Sequence, residues 1–490
     1  MKVTKLYILG LVAVMSGACQ KDLLKPTPQS YIPDYLGFET KDRIANQARG
    51  LYAVLKDGRF LGGKVEIAND VRGEDFFNEG SNSVTFNLSW RMLPTGEAQE
   101  VQEIWTQGYK TINNANVFME AMKATGNKVV GDELAKQYEG EAKFVRALSY
   151  FSLLQLYARP YWDGDGSKLG LILYTEGHTL LGDYAKARST VKETYALILK
   201  DLDDAEAALP KENAGSVNAV TRANAYTVAA LKTRVYLHLK QYDKVIASAA
   251  KLVSVNAPFT SPGGHKLEPE VNKIFARPYT TNESIFSLPF SAGPGDAPAT
   301  QTQLGYYYAF DKGNGEYSLD EDGILADSGW KSGTDARRKL LEVVPQGAGV
   351  QPKYFLNKYA AGSPFTDWAP IIRYAEVLLN LAEARVRQTN SVDPQAVALL
   401  SAVRNRSDAT ITYTAADFTS SAKLLEAILH EKRIELLGEG FRSSEITRLG
   451  ITFPGKGGGI VPSVLPASPK YIWPIASSEL VYNKLCVDNN

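Results

Sequence analysis

Several local patterns in this chain approach known chemistry, and each lacks a group that the chemistry requires. Gly450-Ile-Thr-Phe-Pro-Gly-Lys-Gly457 nearly spells a phosphate-binding loop. Its last position lacks the hydroxyl that would hold Mg²⁺, and Pro454 removes a backbone N–H from the cradle. His430-Glu431 opens like a zinc-protease helix, but position 434 is isoleucine, so the second ligand is missing. Asp163-Gly-Asp-Gly166 opens like a calcium loop, yet Tyr174 stands where the bidentate glutamate belongs, which leaves a polar turn. Among carboxylates, only Asp70, Glu74 and Asp75 cluster tightly enough to suggest the acid pair of a glycosidase. No catalytic residue, metal site or cofactor is assigned.

Aromatic rings interleaved with polar side chains point to binding instead. Segment 57–100 holds Phe60, Phe76, Phe77, Phe86 and Trp90 among Asp70, Arg72, Glu74, Asp75, Asn78 and Asn82. Segment 291–370 holds Tyr306, Tyr307, Tyr308, Tyr317, Trp330 and Trp368 among others. Sugar rings have apolar C–H faces and equatorial hydroxyls, so stacking rings beside Asp, Asn and Arg would suit them. Arg72, Asp75, Asn78, Trp90, Tyr306, Tyr307 and Trp330 are therefore the candidate ligand-binding residues. The competing expectation is that these rings pack loops onto a scaffold.

The elements that must carry these segments are helical. Ile44, Ala48, Leu51 and Leu55 lie at i, i+4, i+7 and i+11, one face of a helix. Segment 133–157 is apolar on two sides, through Phe144, Ala147, Leu148, Phe151 and Leu154, and through Tyr150, Leu153 and Tyr157; such a helix is buried between neighbours. Thr190 and Glu193 form a capping box for a helix that Pro210 stops. Two helices follow at hairpin distance, around Val228–Leu239 and Tyr242–Val253. Later helices carry Ile372 to Val386, open at Asp393-Pro394, and run from about 422 to 437. Four imperfect helix pairs suggest a degenerate tetratricopeptide-like superhelix with long irregular insertions and minor strand, one at 284–290. Charged residues interrupting the helical faces (Glu141, Arg146, Glu376, Glu383, Arg404, Arg406, Glu431, Glu435) read as paired and structural.

Composition narrows the classes further. Hydrophobic residues make up 44% and charged residues 22%, which excludes a disordered or rod-like chain. Lys plus Arg and Asp plus Glu are both 54, with no basic run, which argues against nucleic acid. Two cysteines make no disulfide framework. Lys2 and Lys5, the apolar stretch Leu6 to Met15, and Ser16-Gly17-Ala18 before Cys19 read as a bacterial lipoprotein signal. Residues 1–18 are then a signal peptide, Cys19 the lipidated first residue, and 19–33 a proline-containing tether. Residues 34–490 are expected to form one domain, with the ligand-binding insertions at 57–100 and 254–370.

Four segments together resemble the SusD/RagB family of outer-membrane nutrient-binding lipoproteins: 140–151, 225–253, 371–385 with Ala402-Val-Arg-Asn-Arg406, and 431–450. The start after Cys19 and the end Ile472-Trp-Pro-Ile-Ala-Ser-Ser-Glu479 are similar as well. The resemblance implies a mainly α, tetratricopeptide-like fold and a surface-exposed lipoprotein. It also implies a SusC-like TonB-dependent transporter as partner and non-catalytic capture of a glycan or, in the RagB branch, a peptide. An all-α glycoside hydrolase is the alternative from another class.

Overall fold

The computed structural model describes residues 37–80, 82–298, 301–327, 330 and 333–489. The signal peptide, Cys19 and the 19–33 tether lie outside these residues. Helix α1 (Lys41–Leu55) starts where the Thr40 side chain accepts from the Arg43 N–H, and it buries Ile44, Ala48, Leu51 and Leu55, the stripe read from the sequence. Helix α2 (Lys64–Val71) was not legible: every one of its residues is buried, charged ones included, so no amphipathic stripe exists to be seen.

Helices α3 (Gln99–Ala121), α4 (Asp132–Tyr157) and α5 (Val191–Ala208) follow, and α4 packs between the other two, as its two apolar sides require. The Thr190/Glu193 capping box opens α5, which ends just before Pro210. Helices α6 (Ala225–His238) and α7 (Tyr242–Ala249) form a tight pair. Next, α8 (Tyr374–Thr389) packs on α7, on α9 (Pro394–Ser407) and on α10 (Ser421–Glu435). Asp393 caps α9 by accepting from the Ala396 N–H at 2.8 Å, with Pro394 in the first turn. A further helix, α11 (Arg442–Leu449), follows α10, where the sequence showed no stripe long enough to read. The fold is mainly α.

The insertions, expected to be irregular, hold short strands. Strands β1 (Phe76–Asn78), β3 (Tyr317–Leu319), β4 (Leu341–Val344) and β5 (Lys353–Leu356) form an antiparallel sheet in the order β1-β3-β5-β4. This sheet joins the first insertion to the second. Strands of three or four residues are too short to show a period of two. Strand β2 (Ser284–Leu288) pairs with β6 (Ala369–Arg373) in a separate two-stranded sheet, fully buried beneath the helices.

The charged residues within helical faces are paired. Glu141 binds Arg222 and Tyr52, Arg146 binds Asp201, Glu376 binds Arg234, and Glu383 binds Arg448. At the end of β6, Arg373 donates to Glu283 (2.6 Å), Glu435 (2.9 Å) and Glu439 (2.6 Å). Arg406 and Arg337 also grip Glu435. Burial alone would raise the Glu435 carboxyl, but Arg406, Arg373 and Arg337 hold it well below the ordinary carboxylate range.

Candidate functional site

Of the seven residues expected to touch a ligand, six are buried in the fold. Arg72 donates to Ser443 Oγ (3.0 Å) and to the Tyr471 carbonyl (2.8 Å). Asp75 is clasped by Arg433, and Asn78 accepts from Asn87 at 2.8 Å. Trp90, 2% exposed, donates its indole N–H to the Phe76 carbonyl at 2.7 Å. Tyr307 packs on Phe86 and Tyr317, and Trp330 is buried with its carbonyl held by Arg338. Direct stacking or hydrogen bonding to a ligand does not fit these placements. The physical reason is general: segments with little regular structure need aromatic area and fixed hydrogen bonds to hold their shape, so their best rings are used internally. Only Tyr306 stays partly exposed.

What the buried residues support is a cleft of about 420 Å³ on the four-stranded sheet. The first insertion contributes Phe77 and Glu79; the second contributes Ser318–Asp322, Leu325 and the tip and strand at 350–354; Gly457 and Gly458 close one side. Phe77 and Tyr354 are partly exposed rings on its wall. Trp90 lies behind Phe77, edge-on with ring centroids 5.6 Å apart, and so sets the position of the ring that faces solvent. Ser318 donates to Glu79 at 2.6 Å, and Lys353 pairs with Glu79. The backbone N–H groups of Gly457 and Gly458 donate to Asp320 and Asp322, each at 2.8 Å. Glycine is required at 457, because φ is +65° and a Cβ would stand 3.0 Å from the Trp90 ring.

Lys456 of the near phosphate-binding loop is engaged within the fold and not free to meet a phosphate. Its ammonium is buried and donates to the carbonyls of Val71 (2.6 Å), Arg72 (3.1 Å) and Gly73 (2.7 Å), capping the end of α2. Burial pushes this group down to about 7. The lysine is a strut between α2 and the cleft wall.

Electrostatically the cleft is acidic. Lys353 offsets Glu79, while Asp320, Glu321 and Asp322 have no cation among the lining residues. Gln346 and Gln351 add exposed amides. The arrangement offers two apolar ring faces and a rim of acceptors and amides, which fits a neutral, hydroxyl-rich ring and disfavours an anion. Phe77 stood among the sequence's aromatic residues but was not singled out; Tyr354 and the rim were missed. The one available signal was Pro345-Gln-Gly-Ala-Gly349, a turn that marks a hairpin tip.

A second cleft of about 420 Å³ lies between the end of α1 and residues 290, 295–298, 301 and 302. Its charges are engaged with one another, as Lys56–Asp296, Arg59–Asp57 and Lys64–Glu103. Tyr306 reaches this second cleft through Gln301, at 3.4 Å. The carboxylates that suggested a glycosidase are also engaged: Glu74 by Arg442 and Arg433, Asp75 by Arg433. Asp70 accepts from the Gly440 N–H (2.8 Å) and Tyr308 (3.1 Å), and burial pushes its carboxyl up to about 7. Among the described residues, no group of His, Cys, Asp and Glu is arranged to hold a metal.

Comparison with known proteins places this geometry in context. Residues 24–237 match a family model described as "Starch-binding associating with outer membrane", and residues 348–454 match the model of the SusD family. The solved structure of a SusD superfamily protein from Bacteroides fragilis is 33% identical, with a TM-score of 0.81 over 92% of this chain and 99% of that one. SusD-like protein P38 of Formosa agariphila is 21% identical over 98% of this chain and 97% of its own length. Surface glycan-binding protein A from Bacteroides thetaiotaomicron, solved in complex with laminarihexaose, shares the fold at 17% identity, with a TM-score of 0.71 over 92% of this chain and 99% of that one.

Proposed function

The chain belongs to the SusD family, and from that membership we propose that it is a non-catalytic lipoprotein that captures a neutral glycan in the sheet cleft. The observation that carries the ligand class is the pairing of the partly exposed Phe77 and Tyr354 with an acidic and amide rim. Stacking supplies affinity without charge, and the exposed Glu321 and Asp322 at the rim repel sulfated or uronic polymers. The laminarihexaose complex of a relative with the same fold supports a glycan over a peptide. The pairing of Glu74 and Asp75 with arginines supports binding without hydrolysis, since neither carboxylate is available as acid or nucleophile.

Location and partner follow from the same premise. The lipobox at Cys19 supports a lipid anchor in the outer membrane, and no helix among the described residues is long and apolar enough to cross a membrane. A captured glycan must then pass to a protein with a channel, and a SusC-like TonB-dependent transporter is the partner that family membership supports.

Calorimetry of the mature lipoprotein against neutral oligosaccharides, acidic oligosaccharides and peptides tests this reading. Neutral oligosaccharides should bind, and Phe77→Ala should weaken them by about 1–3 kcal/mol, as loss of a central stacking contact does. Preference for peptides, or sustained reducing-end release, would overturn it.

A further inference from the structure

One wall of the sheet cleft is held differently from the rest. The hairpin of β4 and β5 forms an edge of the sheet, since β4 pairs with β5 alone. Strand β5 in turn joins β3 where Phe355 faces Ser318. The base of the hairpin is firm. Glu342 accepts from the N–H groups of Phe310 and Asp311, each at 3.1 Å, and the Asn357 N–H donates to the Leu340 carbonyl at 2.7 Å. The tip has no such anchors. Residues 345–351 are all exposed. Their hydrogen bonds stay inside the hairpin, from the Val350 N–H to the Gly347 carbonyl (3.3 Å) and from the Gln346 amide to the carbonyls of Val344 (3.1 Å) and Pro345 (3.5 Å). A Cβ at Gly347 or Gly349 would meet no atom within 4 Å. Among the described residues, none outside the hairpin bonds to 345–352.

This loosely held tip nevertheless lines the cleft. Gln346, Val350, Gln351 and Pro352 border the same space as Phe77 and Leu325. Among the described residues, the outer hairpin is tied to the first insertion by one ion pair, Lys353 with Glu79. Glu79 is fixed independently, because Ser318 donates to it at 2.6 Å. The Lys353 side chain is 41% exposed, and an ion pair open to water contributes little and is readily broken. A two-stranded ribbon is by itself only marginally stable in water. A firm base, a free tip and one weak tie across the site are the parts of a flap.

We propose that the β4–β5 hairpin closes over a glycan ring held in the sheet cleft, and that the Lys353–Glu79 pair is its releasable latch. Closure brings the amides of Gln346 and Gln351 onto ligand hydroxyls and excludes water from the faces of Phe77 and Tyr354. The proposal rests on the reading of this cleft as the glycan site.

The test separates the flap from the site. Calorimetry of the mature lipoprotein with laminarihexaose, maltohexaose, cellohexaose and xylohexaose first identifies a hexasaccharide that binds. Hydrogen–deuterium exchange at residue resolution then compares free and bound protein. Residues 343, 344 and 347–349 belong to the hairpin but do not line the cleft, so a static wall leaves their exchange unchanged and a closing flap slows it. Lys353→Met and Glu79→Gln remove the latch from its two sides with opposite changes of charge. Each should speed exchange at 343–349 in the free protein and raise the dissociation rate of the hexasaccharide by about threefold, the scale of an exposed ion pair. Slower exchange at these positions on binding, with faster dissociation from both variants, supports the proposal. Binding with unchanged exchange there overturns the flap while the glycan site stands. Opposite effects of the two variants on dissociation would show that charge and not a latch acts on the ligand, and would overturn the proposal as well. If none of the hexasaccharides binds, the glycan reading fails and the flap falls with it.

Discussion

The arginines of the helical scaffold and the aromatic residues of the insertions were read from the same kind of signal, polar and apolar residues out of place, and the fold uses them in parallel ways. In the scaffold, Arg373 and Arg406 are drawn inward onto Glu435, where Arg337 of the second insertion joins them, so that β6, α9 and α10 are tied at one point. In the insertions, Trp90, Tyr307 and Tyr317 are likewise drawn inward, and only Phe77 and Tyr354 reach the cleft. The difference lies in what remains. The scaffold compensates its charges internally, whereas the insertions leave two partly exposed rings and the exposed Glu321 and Asp322 lining the cleft. Function is expected where compensation stops, and the residues with the most conspicuous chemistry in the sequence serve as support.

Arg373→Met breaks the scaffold side of the comparison and carries the largest expected effect. It leaves Glu283, Glu435 and Glu439 sharing too few cations in a buried site, which costs about 3–5 kcal/mol. Urea unfolding followed by circular dichroism measures this; a loss below about 1 kcal/mol would show that the cluster is not a structural tie.

Trp90→Ala probes the boundary between the regions. As a buried strut it should cost about 3–5 kcal/mol of stability. Ligand affinity should fall as well, because Phe77 loses its backing. If affinity falls with stability unchanged, Trp90 contacts the ligand directly and the support role is wrong.

Asp70→Asn gives an effect seen as a slope, small between neighbouring pH values. The folded protein keeps the Asp70 proton up to about pH 7, while the unfolded chain releases it near 4. Stability contributed by this site is therefore full below about pH 4 and is lost as pH rises toward 7. The variant should flatten the stability–pH curve in that window by up to about 1.4 kcal/mol per pH unit. Denaturation midpoints from pH 4 to 7 check it, and parallel curves for the two proteins would contradict it.

Most of the helices were legible because each carries a stripe, a cap or a stop. The Thr190/Glu193 box, Asp393-Pro394 and the two-sided segment 133–157 act within one turn or along one face, so their partners need not be known. Helix α2 and strands β1, β3, β4 and β5 were not legible, because α2 is buried all round and the strands are too short for a pattern. The cleft was half legible: the sequence pointed to the two insertions, but not to which of their rings would face outward.

The sequence by itself determined the family resemblance and the helical scaffold, since each rests on local periodicity or on motifs in fixed order. Only the tertiary structure decided that Phe77 and not Trp90 faces the cleft, and that Lys456 caps a helix. These outcomes depend on contacts between residues far apart in the chain. Whether a ring is buried or exposed is a property of what packs against it, which no local spacing encodes.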